Sequence, residues 1–451
     1  MPTSTFNEPG PIALPLDSDE APQVATDGGG LRKFRRRVFS VFTVCCIITL
    51  VGFWERTPKV GRGVDDLGHT VGVAYDPRLE SYQNPADAKK CAEWPFDDTD
   101  LVSGTEPERH LSSMSFELPA EADLLFFLSR GPVFGHVDII KTSEYSTGPI
   151  EVNVTAQYHD LADLKRTTVC RMGQDASNEH GLLVWAEPRH PHGDPQRDVR
   201  FNITIALPSG LRRYRDLTTD LPMFSHIASF FDFWSPTEFG VIRLKSSLAT
   251  INHGSLMGES AFIQTSNAKV EGFFAGTQKL SVQTSNSPIN SVALMIGESR
   301  GSEVDVELRT SNGDIESNLG IMTDFPDTVL RATLQTSVGS LKIGTPTRMG
   351  ATNSSFFLDA STSVSPATLY LHPEYEGTYD LGTSLSTARV EVDKDISDPI
   401  GKGRQRMVRK TTTGSHAEGY IYWSDDGEPT EGVQQGAVKI KTSTSPITVY
   451  C

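Results

Sequence analysis

The run "VDVELRTSNGDIE" gathers four carboxylates, Asp305, Glu307, Asp314 and Glu316. Two carboxylates held at a defined separation, one with a raised pKa, are what glycoside hydrolysis needs. Here Glu307 and Glu316 fall at outward alternate positions of strand-like text, where charge is the ordinary solubilising choice. The run also lacks the dense acidic spacing of a strong calcium loop. "PRHPHGDP" places His190, His192 and Asp194 close together, but the prolines mark an exposed loop and no distant ligand completes a set. No nucleophile elbow, phosphate-binding loop or H-E-x-x-H helix occurs. Thr265, Thr284, Thr310 and Thr336 could be read as an ice-binding ladder; they share parity with buried Leu and Ile, so they read instead as caps inside a turn. No catalytic residue, metal ligand or cofactor is expected.

What positions these residues is a repeat. Aligned on the hydroxyl residue that opens each turn (Ser246, Thr265, Thr284, Thr310, Thr336, Thr442), an aliphatic residue stands two positions earlier: Leu244, Ile263, Val282, Leu308, Leu334, Ile440. Another stands five positions later: Ile251, Val270, Ile289, Ile315, Leu341, Ile447. The residue just before the hydroxyl is polar, namely Lys245, Gln264, Gln283, Arg309, Gln335 or Lys441, which is the period-2 alternation of a strand with one buried face. "YDLGTSLSTARVEV" is a further, irregular copy. Asn312-Gly313 suits a two-residue hairpin turn that would pair Thr310 with Ile315 and Arg309 with Glu316. Its sisters Asn267-Ala268 and Asn286-Ser287-Pro288 suit that hairpin poorly. A left-handed Asn corner leading one strand into the next side of a β-solenoid fits all of them. One coil cannot bury its own apolar face, so stacked coils share a core. The turn is structural.

The pattern hydrophobic-x-Thr-Ser-Asn-Gly-Asp-Ile, complete only at Thr310–Ile315, resembles adhesin-like repeat families of unknown function that are associated with β-solenoid structures. The resemblance covers about residues 240–450 and implies fold more than function. The whole layout, with a short anchor, a β-rich ectodomain and the ending "GYIYWSDDG…GAVKIKTSTSPITVY", is similar to single-pass membrane proteins of fungi.

Residues 1–37 read as a disordered cytosolic tail whose five acidic residues cancel the basic cluster Arg32, Lys33, Arg35, Arg36 and Arg37. The net charge of −16 therefore belongs to the rest of the chain, which argues against a nucleic-acid partner. "VFSVFTVCCIITLVGFW", residues 38–54, is uncharged and about 26 Å long as a helix, enough for a short membrane span. No small-residue cleavage site follows, so a retained signal-anchor is expected. The basic flank sets the N-terminus in the cytosol, giving a single-pass type II protein whose C-terminal part is extracellular or in a secretory lumen. The sequons Asn153, Asn202 and Asn353 all lie beyond the span, as a glycoprotein of this topology requires. Cys91 and Cys170 could pair in such a compartment, leaving Cys451 over.

Residues 55–111 read as a Pro/Gly-rich stalk in which "CAEWPF" is a docking candidate. Residues 112–238 are expected to form a β-sandwich-like module, and 239–451 the β-solenoid of irregular TSN-type repeats. The fold class is thus mainly β with one N-terminal transmembrane helix. Three functions stay open: a non-catalytic adhesin or scaffold for cell-wall polysaccharide or surface protein, a carbohydrate-active β-helix enzyme, and a lumenal structural protein.

Overall fold

A computed structural model describes residues 76–95, 101–102, 109–187, 199–229, 237–345, 348–350, 354–393, 395–425 and 436–451. The chain divides into the units Met1–Asp65 and Asp66–Cys451. The expected tail (1–37), span (38–54) and basic flank lie outside the described residues, as do His190, His192, Asp194 and Asn353. Among the described residues no helix is long and apolar enough to cross a membrane.

The described residues are mainly β, with 28 strands in one hydrogen-bonded network. Its pairings run in two rows. The leading row holds strands that enter the TSN turns, such as Glu238–Lys245, Glu303–Arg309 and Val329–Gln335. The trailing row holds strands that leave them, such as Ile289–Gly297, Ile315–Thr323 and Leu341–Gly344. Ile251–Gln264 and Val270–Gln283 bend from the trailing row into the leading one, joining the two.

Register follows from the aliphatic columns. Leu244, Ile263, Val282, Leu308 and Leu334 are consecutive partners along the leading row, and Ile251, Val270, Ile289, Ile315 and Leu341 along the trailing row, all parallel. Each of these ten is at most 1% exposed, so the two columns face each other across one continuous core. Shifting any strand by one residue would turn its whole apolar set to solvent, which is why the register is so strongly specified.

Two units escape the aliphatic filter because alanine fills their columns. Ala360 and Ala367 flank Thr362, and Ala388 follows Thr383. The hairpin alternative at Asn312-Gly313 is not what forms. Glu303–Arg309 pairs with Val270–Gln283 and Val329–Gln335, not with Ile315–Thr323.

The rows do not stop at residue 238. Arg213–Asp220 pairs in parallel with Glu238–Lys245, and Phe224–Ser229 with the start of Ile251–Gln264. The sandwich-like arrangement expected for 112–238 is therefore the beginning of the same stack, and it shares the same apolar cluster. At both ends of the stack the pairing changes to antiparallel. Thr167–Gln174 and Lys90–Ala92 close one end of the leading row, and His416–Ser424 with Gln405–Thr412 closes the other. Such closing hairpins limit the open edges on which another chain could pair.

Space order departs from chain order near each end. Leu124–Arg130 lies between Glu179–Ala186 and Arg213–Asp220. Gly436–Thr442 is inserted between Ser355–Ser361 and Gly377–Thr383, with Ile447–Tyr450 likewise between Ala367–Tyr370 and Ala388–Glu391.

Part of the expected stalk is packed rather than free. Trp94 is buried and its indole N–H donates to Thr167 O and Oγ1, both at 3.1 Å. Leu79 and Tyr82 cover Leu124, Phe126 and Leu128 in a second apolar cluster, and a disulfide joins Cys91 to Cys170.

Candidate binding surface

The repeated turn is built from a buried threonine used twice. Thr336 Oγ1 accepts from the Gly339 N–H at 3.2 Å and donates to Gly313 O of the preceding repeat at 2.9 Å. Thr310 does the same with the Gly313 N–H and Ser287 O, and Thr362 Oγ1 donates to Gly339 O at 2.8 Å. The hydroxyl thus closes its own turn and bolts it to the neighbouring repeat. Ser246 keeps a weaker version, accepting from the Ala249 N–H, and Thr442 Oγ1 donates to Ser445 O. Thr284 Oγ1 lies 3.4 Å from Ser266 O, while Thr265 Oγ1 is buried with no partner.

The expected left-handed Asn corner is not present. Among the described residues only Asn178 and Asp327 are non-glycine residues with positive φ, so Asn267, Asn286 and Asn312 have ordinary backbone. They act through their side chains. Asn312 Nδ2 donates to Asn286 Oδ1 at 2.7 Å and Asn286 Nδ2 to Asn267 Oδ1 at 2.6 Å, an exposed amide ladder along the stack. Gly313 also has no left-handed φ. Its requirement is closeness: a Cβ there would stand 2.0 Å from Ser287 O, and one at Gly339 only 1.8 Å from Gly313 O.

Stacking brings together side chains that are 19 and then 26 residues apart, and this creates a hollow among the described residues. It measures about 310 Å³ and lies on the outer side of the leading row. Columns one and three residues before each turn line it. The first runs Lys245, Gln264, Gln283, Arg309 and the second Arg243, Phe262, Ser281, Glu307. Lys279 enters from the column beyond. A second hollow of about 50 Å³, among Leu319, Ile321, Leu330 and Phe356, is large enough for water and too small for a polymer.

Four cations and one carboxylate line the larger hollow on a chain whose net charge is −16. Behind Arg243 and Lys245 stand acids of their own. Arg243 Nη1 is 3.4 Å from Asp76 and 3.6 Å from Asp216, and Lys245 Nζ is 3.2 Å from Asp220. Burial works against the Asp76 charge, but hydrogen bonds from Arg78 outweigh it and hold this carboxyl below its usual range. Lys279 and Arg309 instead share a single carboxylate, with Lys279 Nζ 3.2 Å from Glu307 Oε2 and Arg309 Nε 2.8 Å from Glu307 Oε1. Both oxygens of Glu307 are thereby engaged by cations. Arg243 Nη1 and Arg309 Nε, though close to carboxylates, lack an aligned hydrogen bond. The guanidinium of Arg243 lies 5.6 Å from the centre of the Phe262 ring.

Of the other residues singled out in the sequence, Asp305 and Asp314 are exposed, and Asp314 accepts from the Ser340 N–H. Glu316 pairs with Lys342. Among the described residues no three metal-ligating side chains converge. Asn153 and Asn202 sit on adjacent antiparallel strands of the trailing row, Asn153 opposite Thr204 and Asn202 opposite Thr155. The hollow was missed because its residues come from four strands. The column one residue before the turn was visible in the repeat alignment; the column three before it carries no common residue type and gave no signal.

No protein-family model and no curated protein matches the chain. Among solved structures, it is similar to a provisionally assigned adhesin from Parabacteroides merdae, at 13% identity over 57% of this chain and 90% of that one, with a TM-score of 0.27. A provisionally assigned adhesin from Bacteroides fragilis is 9% identical over 75% of this chain and 96% of that one, also at 0.27. A provisionally assigned lipid-binding protein from Parabacteroides distasonis is 10% identical over the same shares, at 0.26. Likenesses this distant carry no argument about what the chain binds.

Proposed function

We propose that the chain is a non-catalytic, adhesin-like or scaffold protein of the fungal single-pass type, anchored by residues 38–54. Its C-terminal part is a β-solenoid, a reading supported by parallel pairing at successive 19- and 26-residue offsets. This part faces the cell exterior or a secretory lumen and binds cell-surface polymers or proteins. The observation that carries the binding reading is the hollow on the leading row, formed by side chains of four successive strands on an extended, laterally repeated surface. Against catalysis stands the setting of Glu307, the one carboxylate lining that hollow, with both oxygens occupied by cations.

A C-terminal tag on intact cells, with a glycosidase mobility shift alongside, tests the placement. An exposed tag on a glycosylated chain is the expected result. A hidden tag without glycan would mean that the topology is reversed. Release of reducing ends from a wall polysaccharide by the purified chain, abolished by Glu307→Gln, would establish the enzyme reading instead.

A further inference from the structure

We infer that the hollow on the leading row is a subsite for an acidic polysaccharide, with uronate carboxylates seated at Lys279 and Arg309 and a sugar ring against Phe262. This rests on the binding-scaffold reading above and names its ligand class. The argument begins with the local charge. Four cations against one carboxylate leave 4 − 1 = +3 on the lining. Arg243 and Lys245 are answered by Asp76, Asp216 and Asp220. Lys279 and Arg309 share Glu307, and Asp305, opposite Lys279 in register, makes no ion pair with it, so neither cation has a paired carboxylate to itself. A guanidinium and an ammonium beside one another form a site for a carboxylate, which the guanidinium grips through directed N–H donors. Arg309 Nε already faces Glu307 Oε1 at 2.8 Å, which leaves the terminal N–H groups of its half-exposed guanidinium to meet a ligand.

The remaining lining suits a sugar. Gln264 and Gln283 each offer an amide donor and acceptor to hydroxyl groups, and Ser281 a hydroxyl. Phe262 supplies an apolar face beside them. Because the same columns continue from strand to strand at about 4.8 Å, a chain molecule lying along the stack meets new side chains at each coil. Few cations and a strongly negative remainder of the chain disfavour nucleic acid, which needs a run of phosphate contacts. The two described sequons lie on the trailing row, so glycans there would leave this surface clear.

The test is calorimetric titration of the full-length chain, in detergent micelles, with hexagalacturonate and with its methyl ester. The acid should bind about tenfold or more tightly than the ester, and its affinity should fall as sodium chloride rises. Lys279→Gln and Arg309→Gln should each weaken the acid about tenfold and leave the ester unchanged. Phe262→Ala should weaken both. Lys441→Gln, in the same column but farther along the stack, is the control expected to do nothing. Equal binding of acid and ester, or loss of affinity in the Lys441→Gln chain as large as in the others, would overturn the subsite. Equal or tighter binding to phosphatidylserine vesicles, lost in the same variants, would replace the saccharide with a lipid surface. If the Lys279→Gln chain still binds isolated cell walls as well as the parent, the acidic subsite falls while the adhesin reading stands. If the parent chain binds no wall, vesicle or oligosaccharide, both fall together.

Discussion

Thr336→Val is the sharpest test of how the turns are held. Valine keeps the shape of threonine and adds no cavity, so the change isolates the hydroxyl. That hydroxyl makes its two shortest hydrogen bonds in a site only 3% exposed, one closing the turn to the Gly339 N–H and one reaching Gly313 O in the preceding repeat. A lost internal hydrogen bond costs about 1 kcal/mol, and a buried donor left without a partner costs about 1–3 kcal/mol. Here the Gly339 N–H and the Gly313 carbonyl are both left behind, which gives about 2–4 kcal/mol in total. The matched control is Thr265→Val, in the same column and just as buried, whose Oγ1 has no partner. That change should be neutral or slightly stabilising, because it removes a buried polar atom that gains nothing from its site. Urea denaturation of both variants followed by tryptophan fluorescence gives the two free energies, and hydrogen exchange reports the Gly339 amide directly. Equal effects at the two positions, or a Thr336→Val chain within about 0.5 kcal/mol of the parent, would refute the bolting role of the hydroxyl.

Further outcomes follow from other parts of the fold. Cys91→Ser should cost about 4–5 kcal/mol by the loop-entropy argument, since the disulfide spans 79 residues, and thermal melts with and without reductant measure it. His226 and His253 are fully buried, and burial pushes both down to about 4 from 6.5. The unfolded chain therefore binds more protons between those values. Full stability holds above about pH 6.5 and drops on the order of 3 kcal/mol per histidine as pH falls to about 4, which urea midpoints across that window would show. Asn312→Val should cost only about 0.5–1 kcal/mol, because it removes one exposed amide hydrogen bond and forces no left-handed backbone. A larger loss of melting temperature than that would reinstate a strained corner.

The stack was legible in the sequence where its columns are filled by Leu, Ile and Val, since these residues report burial and spacing together. It was illegible where alanine takes the same place, as at Ala360 and Ala367, although the "TSxSP" text around Thr362 repeats that of Thr284 and Thr442. Asn was expected to hold a left-handed corner, and its backbone does not adopt one. Its amide serves the neighbouring repeat, and that partner lies 19 or 26 residues away, beyond any local pattern. The same distance hid the hollow. Arg243, Phe262, Lys279 and Arg309 become neighbours only once the strands are placed in register. The continuity of 112–238 with the repeats was hidden differently, because Leu124–Arg130 and Phe134–Lys141 are inserted out of chain order.

Insertion at the other end has a mechanical consequence. In a simple stack the outermost coil touches one neighbour and can peel away, its hydrogen bonds opening one after another. Here Ile447–Tyr450 has a partner strand on each side, four register pairs with Ala367–Tyr370 and four with Ala388–Glu391. Tension on Cys451 along the strand direction loads both ladders in shear, so their bonds share the force and must give way together. A pull of that kind meets more resistance than the same pull on a terminal coil that unzips.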